Sequence, residues 1–86
     1  HAPFTIDSPF RPNSIRQTAA KLGKNIIVYE GGESLRFDQH AIEEGINGTL
    51  RLMKHLHMID WAPEPAHENK IIWNSSWARA HHAGLF

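Results

Sequence analysis

The sequence predicts an α/β fold, and three observations carry the prediction. The run Ile26-Ile27-Val28-Tyr29 is largely β-branched and does not alternate, the pattern of a strand covered on both faces in a parallel sheet. Stretches with helical apolar spacing lie on either side of it, over 14–22 and 39–58. The end of the chain, KIIWNSSWARAHHAGLF, reads as two or three short strands with Trp73 and Trp77 as large apolar anchors.

Taken in order, the first dozen residues carry Pro3, Pro9 and Pro12, so they read as an extended loop. Asn13 or Ser14 caps the first helix, and Gly23 stands at its terminating position. Ile15, Ala19 and Leu22 share one face of it. The strand over 25–30 follows, with Glu30 at its carboxyl end. Asp38 caps the second helix, whose Ile42, Ile46, Leu50 and Met53 form an apolar stripe. Beside that stripe, Ala41, Gly45 and Gly48 form a band of small residues. Each interior glycine costs about 1 kcal/mol relative to alanine, so the band implies a close neighbour. Glu43 and Glu44 early, with Lys54, His55 and His57 late, match the helix macrodipole. The stretch 61–68 is a proline-broken linker. One strand cannot make a sheet, and an isolated hairpin is marginal in water. The expectation is therefore a segment of a larger protein: the end of an α/β domain over 1–60, the linker, and the start of a β-rich domain over 69–86.

Composition narrows the function. Nine Lys and Arg balance nine Asp and Glu, which leaves no electrostatic reason to expect nucleic acid or an anionic membrane as partner. Without cysteine, neither a disulfide framework nor a thiolate zinc site is possible. No apolar run reaches membrane-span length, and the N-terminus lacks the regions of a signal peptide, so a cytoplasmic protein is expected. Asn47-Gly48-Thr49 and Asn74-Ser75-Ser76 match the glycosylation sequon, a short pattern frequent by chance.

The chemistry centres on Glu30. Ligands of open α/β sheets bind beyond the carboxyl ends of strands, and Gly31 and Gly32 permit close approach there. Partial burial would raise the carboxylate's pKa toward that of a working general base or acid. A structural reading stands beside it, in which Glu30 caps the next element or pairs with Arg36. Arg16 and Arg36 are candidates for gripping a substrate carboxylate, since a guanidinium fork matches two oxygens. His40 and Glu43 share the H-x-x-E spacing, but on the polar side of a helix and with no evident third ligand. His1, His55, His57, His67, His81 and His82 are candidates by type only. No metal site is expected within this segment.

The stretches IIVYEGGESLRFDQHAIEEGINGTLRLMKHLHM and WARAHHAGLF together resemble the succinylglutamate desuccinylase/aspartoacylase family, whose members are zinc-carboxypeptidase-like. The resemblance implies a fragment of an α/β/α sandwich plus the first strands of a C-terminal β domain. It implies hydrolysis of the amide bond of a small N-acylated amino acid, with Glu30 as catalytic general base and acid. It further implies one zinc ion held by residues outside this segment, and the rest of the parent catalytic domain as partner. Arg16 is similar to an arginine that some members place before this strand to hold substrate. The acyl group, the amino acid and the oligomeric state, monomer or homo-oligomer, stay open. A second reading keeps the same residues as a noncatalytic α/β interaction module in which Glu30 is structural.

Overall fold

The computed structural model describes residues 4–84. Its elements are β1 (Phe4–Ile6), α1 (Ile15–Lys21), α2 (Gln39–His55) and β2 (Lys70–Ile72). His1 and Pro3, read above as a ligand candidate and a loop residue, and the close of the final GLF fall outside the described residues.

Both helices form where the sequence places them, because their boundaries are written locally. Ser14 Oγ accepts the Gln17 amide at 3.1 Å, and Asp38 Oδ1 accepts the Ala41 amide at 3.1 Å. Each bond satisfies one of the amides that a helix start leaves without a partner. α2 carries Lys54 and His55 in its last turn, favourable beside the negative end of the macrodipole.

The strands differ from expectation. Residues 25–30 lie in neither helix nor ladder, and Ile27, Val28 and Tyr29 are exposed. The run has strand composition but no partner among the described residues, and a strand exists only through bonds to a neighbour. β1 instead forms within the proline-rich start, between Pro3 and Pro9, where the intervening residues retain their amides. It pairs in parallel with β2, Phe4 opposite Lys70 and Ile6 opposite Ile72, and Asp7 N continues the ladder to Ile72 O at 2.9 Å. Parallel partners need a long crossover, and here it holds both helices and joins residues on either side of the 61–68 linker. Among the described residues no further strand follows β2. Trp73 and Trp77 are exposed rather than anchoring a core.

Little is buried. Ala62, 5% exposed, is the one buried apolar residue among those described. The strands are the elements that pack on one another; neither helix reaches the other or the sheet. The radius of gyration is 15.9 Å, against about 12 Å for a compact domain of this length. The apolar stripe of α2 therefore keeps an open flank, with Ile42 and Ile46 exposed and Leu50 and Met53 half-buried.

Candidate functional site

The segment between Tyr29 and Asp38 wraps the amino-terminal half of α2 and encloses an open cleft of about 510 Å³. Tyr29 sets this arrangement. Its hydroxyl donates to Ala41 O at 2.8 Å, and its ring lies on Gly45, where an added Cβ would come within 3.0 Å of Cε1. The small-residue band thus receives a side chain, not a backbone. Gly48, further along, faces open space. After Tyr29 the chain turns through Gly31 and Gly32. Gly32 has φ of 81°, a left-handed conformation that a Cβ disfavours. A Cβ on Gly31 would strike the Tyr29 hydroxyl. Gly32 is favoured by its left-handed backbone, and a side chain at Gly31 would displace the Tyr29 ring from its present seat.

Glu30 itself is exposed, which corrects the expected partial burial. Its neighbours Tyr29 and Gly31 line the cleft, whereas Glu30 is not among the residues that line it. Arg36 lines the cleft and lies 3.7 Å from Glu33, so its ion pair is with Glu33 rather than Glu30. That pair is well exposed and contributes little stability. Leu35, with φ of 64°, and Phe37 flank Arg36 and are fully solvent-facing. Arg16 is elsewhere. Its Nη1 donates to Ser8 Oγ at 3.3 Å and its guanidinium lies 5.6 Å from the Phe10 ring centroid. Glu30 and Arg36 lie six residues apart in the segment before α2, where only Arg36 of the two lines the cleft, and Arg16 lies on α1.

The zinc implied by the family resemblance does not fit a site on this segment. His40 and Glu43 are exposed, and Glu43 Oε1 accepts from Gln39 Nε2 at 2.9 Å. Among the described residues no three histidines or carboxylates come together as a metal-holding set. Chemically the segment offers two exposed carboxylates, Glu30 and Glu33, and the Arg36 guanidinium, which is paired with Glu33.

Two contributors escaped sequence reading. Tyr29 was legible only as a strand residue, although a phenol four apolar positions into a run, opposite Ala41 and Gly45, is a signal for docking on a helix. Arg51, whose Nη1 donates to Pro63 O at 3.3 Å, carried no signal beyond its charge. Comparison with known proteins found no matching family model, no similar curated protein and no similar solved structure.

Proposed function

We propose that this chain supplies the glutamate-bearing segment of a zinc-dependent hydrolase that cleaves the amide bond of a small N-acylated amino acid. The observation that supports this reading most is the construction of the turn. Tyr29, docked on α2, and the Gly31-Gly32 pair flank an exposed Glu30, and these flanking residues line a cleft together with Arg36. In that reading the zinc is held by residues outside this chain and supplies Lewis acidity at the scissile carbonyl. Glu30 takes a proton from the attacking water and returns it to the leaving nitrogen. Arg36 holds the substrate carboxylate at the cleft it lines, and Arg16 is the weaker candidate for the same task because it lies on α1, away from that lining.

The exposed Leu35 and Phe37 favour the second reading, a noncatalytic α/β module that uses this loop for contact. One substitution separates the two. In the complete catalytic domain, Glu30→Gln is expected to lower kcat by about 10²- to 10⁴-fold with KM little changed, since the amide cannot accept the proton. Metal content and melting temperature should stay near wild type. Near-normal turnover in Glu30→Gln defeats the catalytic assignment, and a lowered melting temperature alongside it marks Glu30 as a structural cap.

A further inference from the structure

Both sequons pair an asparagine with a small residue, Asn47-Gly48 and Asn74-Ser75. Such a pair has a chemistry of its own that needs no enzyme. The backbone nitrogen of the second residue attacks Cγ of the asparagine side chain. An N–C bond forms, the C–NH2 bond breaks, and ammonia leaves with the proton of the attacking amide. Water then opens the resulting cyclic imide at either carbonyl, giving aspartate or its isomer with the main chain routed through the side chain. The net change is amide plus water to carboxylate plus ammonia, with nothing oxidised or reduced. A small second residue favours the attack because no bulky side chain shields its nitrogen.

The chain holds five asparagines, and residue type alone ranks Asn47-Gly48 first, with Asn13-Ser14 and Asn74-Ser75 level behind it. Asn25 and Asn69 precede the larger Ile26 and Lys70. The fold changes that order. Asn47 and Gly48 lie inside α2. There each amide donates to the carbonyl four residues back and ψ is held near about −42°, which keeps the Gly48 nitrogen from Asn47 Cγ. Asn13 is fixed at the start of α1. Its own amide donates to Gln17 Oε1 at 2.9 Å, and the Ser14 amide that would attack donates to Arg11 O at 3.2 Å. Asn74 and Ser75 are both exposed and lie beyond β2, in neither helix nor ladder. Among the described residues nothing accepts from the Ser75 amide.

We propose that Asn74 is a modification site, the position at which the folded chain deamidates spontaneously with water as co-reactant. Asn47, faster by residue type, is held back by α2, and Asn13 by the cap of α1. The product places a new carboxylate two residues beyond the end of β2, in a chain whose charges otherwise balance.

The test incubates the whole 86-residue chain at mildly alkaline pH, in buffer and in urea, and follows each asparagine by peptide mass spectrometry. In buffer Asn74 should convert first, about tenfold or more faster than Asn47, whose reaction waits on local opening of α2. In urea the order should reverse, with Asn47 leading and Asn13 level with Asn74. Ser75→Pro removes the attacking N–H. It should abolish conversion at Asn74 and leave that at Asn47 in urea unchanged. The proposal is overturned if another asparagine converts first in buffer, if Asn74 does not convert, or if Asn74 also leads in urea. Conversion at Asn74 that survives Ser75→Pro overturns it as well.

Discussion

α1 and α2 are closed by the same devices but with different residues at one position. Each begins with a side-chain oxygen accepting the amide three residues on, from Ser14 and from Asp38. Each ends with the paired bonds of a Schellman motif. In α1, Gly23 N reaches Ala20 O at 3.0 Å and Lys24 N reaches Ala19 O at 2.8 Å. In α2, His57 and Met58 make the equivalent bonds to Lys54 and Met53. The left-handed residue is Gly23 in one, with φ of 68°, and His57 in the other, with φ of 59°. Seven residues of α1 fall well short of the length at which an isolated helix is stable, so it needs a terminus without strain. α2, with 17 residues and Tyr29 docked on it, tolerates a strained one. A helix end can thus be given over to placing a side chain only where the rest of the helix is supported otherwise.

The comparison breaks most sharply at Gly23. Gly23→Val forces a β-branched residue into left-handed backbone and should cost about 2 kcal/mol. Loss of amide exchange protection over 18–22, with α2 unaffected, is the expected readout. The converse, His57→Gly, should relieve strain and strengthen the end of α2 by about 1 kcal/mol, seen as slower exchange at Leu56, His57 and Met58. If it gains nothing, contacts of the imidazole outweigh the backbone strain. Removing the amino-terminal caps tests what the helices share. Ser14→Ala and Asp38→Ala should each cost about 1 kcal/mol. Helicity by circular dichroism should fall more visibly for α1 in the first case than for the longer α2 in the second.

The smallest effect sharpens the role of Tyr29. Gly48→Ala meets nothing and should gain about 0.8 kcal/mol from helix propensity. Gly45→Ala should forfeit that gain, since its Cβ would press to 3.0 Å from the Tyr29 ring. Equal gains at the two positions would mean that Tyr29 is not seated on the helix in solution.

The cleft was only partly readable from residue order. Glu30 and the glycines mark a turn at the end of an apolar run, and that much is local. Its accessibility is not, because burial depends on what packs over 26–29, and no described strand does. Arg36 was weighed as a partner for Glu30, yet Glu33, three residues before it, lies closer at hand. A nearby residue is favoured because closing a short loop costs less entropy than closing a long one. The pairing of Arg51 with Pro63 needed the linker's path, which proline content suggests only as an interruption of helix and strand.

What the sequence determined by itself is the pair of helices, their caps and the glycine turn before α2. These depend on interactions spanning three to five residues, whose partners are set by chain connectivity. Strand identity was decided by tertiary structure. Residues 4–6 and 70–72 pair across the whole intervening chain, while the more strand-like 26–29 stays without a ladder. The physical reason is that a helix satisfies its backbone groups within itself, whereas a strand must find them satisfied by another segment. Tyr29 follows the same rule: its composition suits a strand, and its position on Ala41 and Gly45 was fixed by the fold.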